Sequence, residues 1–290
     1  MKKILIQLDT DPLPSTFDRV VAADSGIDEL FSYGGVTPEN VEPLVHGAMF
    51  TRGPPELLNT AIFIGGSNVS AGETLLDQVR QTFFGPMRVS VMMDSNGSNT
   101  TAAAAVLAAA KHVSLPEIEV LVLGGTGPVG HRAAQLLAVQ GANVRLASRS
   151  LDRAGQTCEA IAAVVESARL TPCETGTESG RDAACRGVDL IIAAGAAGVE
   201  FLSADHRRAI DTLKVAIDLN AVPPVGLAGI EVTDKAVQQD GVICYGAIGV
   251  GGTKMKIHKA ALSRLFESND QVLATEAIYK IGEELMPARN

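Results

Sequence analysis

Short apolar runs, each closed by polar or glycine-rich residues, recur along the chain. In the first third, "KILIQLD" (3–9), "TAIFIGG" (60–66) and "RVSVMMD" (88–94) read as β-strands. Between the last two, "AGETLLDQVRQTFF" (71–84) sets Leu75, Val79 and Phe83 on one helical stripe, which Gly85-Pro86 stops. The polar turn and alanine-rich run "SNGSNTTAAAAVLAAAKHV" (95–113) predict a further helix, because alanine has the strongest helix propensity. "SLPEIE" (114–119) reads as a linker and puts a domain boundary near that helix. Beyond it the pattern becomes strand, glycine turn, helix, strand, repeated. The strands are "VLVLGG" (120–125), "NVRLAS" (143–148), "VDLIIAAG" (188–195), "KVAIDLNA" (214–221) and "VICYGA" (242–247). Apolar strands alternating with helices predict a parallel, doubly wound α/β sheet. After "GVGGTKMKIHKAALSRLF" (249–266) the chain reads as helical to its end, with 272–285 an amphipathic helix packing back on the first domain.

Composition narrows the class. With 290 residues, 46% of them hydrophobic, the chain has material for two packed domains. A net charge of −9 argues against a nucleic-acid or anionic-membrane surface, which needs a basic footprint. The start "MKKILIQLDTD" is broken at Gln7 and Asp9 and reads as a strand, not a signal peptide, and no apolar run reaches membrane-spanning length. Cys158, Cys173, Cys185 and Cys244 show no disulfide or metal spacing and read as reduced thiols of an intracellular protein. The five histidines form no zinc pattern, so no metal is expected.

The strongest chemical signal is "VLVLGGTGPVGHRAAQLLAVQGANVRLASRS" (120–150). Gly125, Thr126, Gly127, Pro128, Val129 and Gly130 fit G-x-G-x-x-G between a strand and a helix, the context a dinucleotide-binding loop requires. Gly125 is expected to allow the tight turn, Gly127 to let backbone N–H groups approach a pyrophosphate, and Gly130 to let helix and strand pack. The helix N-terminus adds partial positive charge. At the end of the second strand an NAD site carries an acid for the ribose hydroxyl. This chain has "LASRS" there: Ser148, Arg149 and Ser150, with Arg153 one turn on. Guanidinium groups and hydroxyls suit a 2′-phosphate, which an acid would repel, so NADP is expected. Ala194, Gly195 and Ala196 close a later strand. They read equally well as room beside a nicotinamide ribose or as simple packing. Asp218 and Asn220 close another, as polar groups for the cofactor or as turn caps. Asp94, Asn96, Ser98, Asn99 and Thr100 precede the alanine helix. They can cap it, but they are more polar residues than one cap needs.

These motifs together resemble the NAD(P)-dependent methylene-tetrahydromethanopterin dehydrogenases of methylotrophic bacteria, and more distantly the methylene-tetrahydrofolate dehydrogenases. The resemblance runs over essentially the whole length, through "LDTD" (8–11), "YGGVTPENV" (33–41), "TRG" (51–53), "TAIFIGG", "FFGP" (83–86), "DSNGSNTTAAA" (94–104), "GTGPVG" (125–130), "AGAAG" (194–198), "GAIGVGGTKMKIH" (246–258) and "RLFES" (264–268). It implies two domains: residues 1–112, completed by 258–290, as an α/β pterin-binding domain, and 113–257 as a Rossmann domain for NADP, with the active cleft between them. It implies reversible hydride transfer from methylene-tetrahydromethanopterin to the nicotinamide in formaldehyde oxidation, in a cytoplasmic homo-oligomer. It marks Lys254, after the glycine turn "GVGG", as the active-site lysine. Asp11, Thr37, Thr51 and Arg52, with the 94–100 segment and Lys256, form the expected pterin set; Arg52 or Lys256 would meet an anionic substrate tail. One departure matters: family members strict for NADP follow the arginine with a lysine, and here Ser150 follows Arg149. NADP is therefore expected as preferred and NAD as usable.

The chemistry agrees with the absence of a triad, metal cluster or paired carboxylates from the sequence. A methylene bridging two nitrogens is a ready hydride donor, because the lone pairs stabilise the resulting cation, and the protein needs mainly to align the partners and exclude water. Methylene-tetrahydrofolate shares the reacting ring and is the competing substrate. A nucleotide-sensing module that binds NADPH without turnover is the competing class.

Overall fold

The computed structural model describes residues 1–286 and divides into two units. One comprises Met1–Thr100 with the residues from Met255 on; the other is Thr101–Lys254.

In the first unit, β1 (Ile4–Asp9), α1 (Thr16–Ala23), β2 (Glu29–Tyr33), α2 (Glu42–Phe50), β3 (Thr60–Gly65), α3 (Val69–Thr82) and β4 (Ser90–Met93) lead into α4 (Ser98–Ala110). The second unit continues with β5 (Glu119–Leu123), α5 (Pro128–Val139), β6 (Asn143–Ser148), α6 (Leu151–Ala162), β7 (Arg169–Glu174), α7 (Glu178–Cys185), β8 (Leu190–Ala193) and α8 (Ala204–Arg208). Then come β9 (Val215–Asp218), β10 (Lys235–Gln239), β11 (Val242–Tyr245) and α9 (Ala247–Arg264). β12 (Val272–Leu273) and α10 (Thr275–Glu284) return to the first unit. The divisions fall inside α4 and inside α9.

The first unit holds a sheet in the order β12-β4-β3-β1-β2, every pair parallel. All six residues of β3 are buried, as a strand covered on both faces requires. Its core packs Ile6, Leu8, Ile62, Ile64, Val91 and Met93 of the strands against Val45 and Met49 of α2 and Leu75 and Val79 of α3. Burying each such side chain contributes roughly 1.5–3 kcal/mol. Ala102–Ala109 of α4 are buried on every side, a close packing that its six alanines permit. The second unit's sheet runs β10-β11-β9-β8-β5-β6-β7, parallel except for the β10–β11 pair.

Both sheets reverse their winding once: between β1 and β3 in the first, and between β5 and β8 in the second. At such a switch point the loops leaving adjacent strands diverge in opposite directions and open a crevice outside the carboxyl ends, where ligands bind in open α/β sheets.

The structure departs from the sequence reading in particular places. Residues 272–273, expected as helix, pair with Val91 and Met92 of β4, and helix begins only at Thr275. "GVGG" is no turn: α9 starts at Ala247, directly after β11, and runs through it. Gly249 is there because a side chain would meet the Asp234 carbonyl at 1.7 Å. Strands β2, β7 and β10 carry half-exposed or exposed, mixed sequences that gave no apolar run.

Candidate functional site

At the second unit's switch point, Leu123 ends β5 and the chain turns at Gly124, whose φ of +69° is left-handed. The turning residue is thus Gly124, not Gly125. Gly125 is small for another reason: a Cβ there would stand 2.6 Å from Leu146 Cγ of β6. Gly127 N–H donates to the Gly124 carbonyl at 3.0 Å and caps α5 with no side-chain acceptor, so the first-turn N–H groups face outward without a capping oxygen. Pro128 sits first in the helix, where its missing N–H costs nothing, and Thr126 and Val129 are half-buried beside it. A Cβ on Gly130 would stand 2.4 Å from the Gly124 oxygen. This glycine cradle, opening on an uncapped helix N-terminus, fits a pyrophosphate.

The other side of the crevice is the end of β8. Ala194 N–H donates to the Leu123 carbonyl at 2.9 Å. Gly195 approaches both Gly124 and Phe201: a Cβ on Gly124 would be 2.5 Å from Gly195 Cα, and one on Gly195 would be 1.9 Å from Phe201 Cζ. Gly195 thus packs the two loops together, while Ala196 is exposed. Asp218 and Asn220 are spent on their own loop. Asp218 is buried and accepts from Leu227 N–H (2.7 Å) and Asn220 N–H (2.9 Å). Burial pushes its carboxyl above the ordinary range, against those backbone donors. Asn220 accepts from Val222 N–H (3.1 Å) and donates to the Pro224 carbonyl (3.3 Å).

"LASRS" closes β6. Ser148 is buried, and its hydroxyl accepts from Ser150 N–H at 3.3 Å. Ser150 caps α6, accepting from Arg153 N–H at 3.4 Å. Arg149 and Arg153 are exposed, and neither forms an ion pair among the described residues. Two uncommitted guanidinium groups at the β6 end suit a doubly charged phosphate.

At the first unit's switch point, Asp11 after β1 bridges to the loop after β3, accepting from Ser67 N–H and Ser67 Oγ, both at 2.9 Å. The fully buried Asp9 accepts from Asp11 N–H (2.9 Å) and Ser15 N–H (3.0 Å). The Thr10 hydroxyl is buried there with no hydrogen-bond partner among the described residues. Thr37 is exposed on the loop after β2, and Asn96, left-handed at φ 55°, is exposed after β4; its N–H bonds the Gly66 carbonyl. The rest of that polar run is consumed by folding. Asp94 accepts from Asn99 N–H (2.9 Å), Thr100 N–H (3.1 Å) and Thr100 Oγ1 (2.6 Å). Ser98 Oγ donates to the Ser95 carbonyl (2.9 Å), and Asn99 joins the Met93 carbonyl to Thr275 Oγ1, at 2.8 Å each.

Thr51 and Arg52 part from this set. They follow α2, and Arg52 donates to the Asn59 (2.7 Å) and Lys2 (3.1 Å) carbonyls, just before β3 and β1. That is the amino edge of a parallel sheet, opposite Asp11 and Asn96, so Arg52 cannot share their site. Lys254 is half-buried in α9 and Lys256 exposed.

His258 belongs to no metal-spaced histidine pattern, and its surroundings emerge only from the fold. It is buried in the first unit, stacked on Phe63 with ring centroids 5.7 Å apart, and Phe17 lies 6.4 Å away. It lines a small cavity with Gln7, Asp18 and Phe63. The available signal was its place in "KMKIH", one helical turn after Lys254.

Residues 16–96 match the family model described as methylene-tetrahydromethanopterin dehydrogenase, N-terminal. The protein named "NAD(P)-dependent methylenetetrahydromethanopterin dehydrogenase" of Methylorubrum extorquens is 31% identical, over 93% of this chain and 94% of its own. The chain belongs to the methylene-tetrahydromethanopterin dehydrogenase family. A second family relative from the same organism, "Bifunctional protein MdtA", is 44% identical over 98% of this chain and 99% of its own. Among solved structures, a shikimate 5-dehydrogenase from Listeria monocytogenes, in complex with shikimate and NAD, has a TM-score of 0.57 at 13% identity, covering 98% of this chain and 96% of its own. That similarity shows a shared fold.

Proposed function

We propose that the chain is an NADP-preferring methylene-tetrahydromethanopterin dehydrogenase that moves a hydride reversibly from the methylene carbon of its pterin to the nicotinamide, leaving the methenyl cation, in one-carbon oxidation. NAD serves as the poorer acceptor. The observation that carries this reading is the pair of switch points: one holds a glycine cradle for a dinucleotide, and the other gathers the polar loops of the first unit. The nicotinamide, when bound, supplies the two-electron acceptor.

The chain's own groups bind, orient and screen. The α5 N-terminus takes the pyrophosphate, and Arg149 and Arg153 take the 2′-phosphate. Asp11, Thr37 and Asn96 bind the pterin, while His258, buried and stacked on Phe63, packs inside the first unit. Lys254 orients the substrate. Catalysis is chiefly alignment and water exclusion, since the substrate nitrogens already stabilise the cation. The four free cysteines support a reducing compartment, the cytoplasm; burial pushes the thiols of Cys158, Cys185 and Cys244 up to about 11, which keeps them protonated and unreactive. Exposed Phe31, Tyr33, Phe50 and Phe84 support a homo-oligomer, which light scattering tests.

The deciding assay follows nicotinamide reduction with methylene-tetrahydromethanopterin, in parallel with methylene-tetrahydrofolate, and with NADP and NAD. Rapid NADP reduction on the methanopterin substrate is expected. Silence with both carriers removes the dehydrogenase reading. Lys254→Ala is expected to lose turnover while nucleotide affinity stays unchanged; full turnover removes its role.

A further inference from the structure

The end of β6 has no acid for a ribose hydroxyl, but the neighbouring strand does. Glu174, the last residue of β7, stands in register with Ser148, the last of β6. In-register residues of adjacent parallel strands point to the same face at the same height. The two strand ends are tied: Thr175 donates to the Ser148 carbonyl through N–H (2.8 Å) and Oγ1 (3.4 Å), and Arg181 donates to the Thr175 carbonyl (3.4 Å). Glu174 is exposed. The point where a Gly176 Cβ would stand is 3.6 Å from Glu174 Oε1 and 3.2 Å from the Arg149 carbonyl oxygen. The carboxylate and the Arg149 turn therefore border one gap.

We propose that Glu174 is the second nucleotide-selecting residue of this site. It accepts a hydrogen bond from the adenosine ribose hydroxyls when NAD is bound. It is also the negative charge beside which the 2′-phosphate of NADP must sit. Arg149 favours NADP and Glu174 favours NAD, so the pair sets a partial preference in place of strict selection. This rests on reading Arg149 as the 2′-phosphate partner.

Glu174→Gln, with Arg149→Ala beside it, tests the proposal. Dissociation constants for NADP and NAD are measured by titration of the intact enzyme, and kcat/KM for each nucleotide follows. Loss of the carboxylate is expected to weaken NAD and tighten NADP, changing the ratio by roughly three- to tenfold, with the NADP part shrinking at high salt. Glu174→Asp, which keeps the charge, is expected to restore much of the ratio. An unchanged or reversed ratio in Glu174→Gln, with Arg149→Ala losing NADP selectively, overturns the role of Glu174 alone. If Arg149→Ala weakens both nucleotides alike, the 2′-phosphate reading beneath it is what fails.

Discussion

Gly130→Ala isolates the phosphate loop from every other part of the site. The added Cβ would stand 2.4 Å from the Gly124 carbonyl oxygen, 2.9 Å from Gly125 Cα and 3.0 Å from the Gly124 carbonyl carbon. All three are backbone atoms, so no side chain can rotate away, and the loop must move off α5 by about 1 Å to reach ordinary contact. Overpacking of this kind costs roughly 1–3 kcal/mol. The movement also strains the 3.0 Å bond from Gly127 N–H to the Gly124 carbonyl, which sets the aim of the first-turn N–H groups. Because the pyrophosphate is common to both nucleotides, NADP and NAD are expected to weaken together, by about tenfold or more, with their ratio unchanged. Titration with both nucleotides, alongside a melting curve, measures both effects. Wild-type affinity at a wild-type melting temperature would refute the cradle, and a selective loss of NADP would mean that this loop reads the 2′-phosphate.

Two further outcomes follow from buried carboxylates. Asp94→Ala removes three hydrogen bonds from the start of α4 and leaves the buried Thr100 hydroxyl without its carboxylate acceptor, so stability is expected to fall by roughly 2–4 kcal/mol; an unchanged melting temperature would show that the turn does not depend on it. The Asp218 carboxyl is raised above its ordinary 3.8, so its contribution to stability is present below that pH and is lost as pH rises through the folded-state value. The melting-temperature advantage of wild type over Asp218→Asn is therefore expected to be larger near pH 4 than near pH 7, and the opposite trend would mean that its backbone donors outweigh burial.

The second unit was the more legible half because its signals are local. A G-x-G-x-x-G loop between a strand and a helix needs only neighbouring residues to state its geometry, and the basic "LASRS" turn lies at the end of the very next strand. The pattern of short apolar runs likewise determined the α/β class, since a strand buried on both faces must be apolar throughout.

What the sequence left open was decided by distance in space. Arg52 and Asp11 look alike as polar loop residues, but the parallel sheet sends them to opposite edges. The polar run after β4 looked generous for a helix cap. The fold spends most of it on buried hydrogen bonds, one of them to Thr275, 176 positions away. Glu174 stands beside Ser148 only because β6 and β7 pair in register, and His258 meets Phe63 only because α9 packs beside the first sheet. Periodicity reports which face of an element is apolar; only tertiary packing decides which element that face meets, and so which polar groups remain available to a ligand.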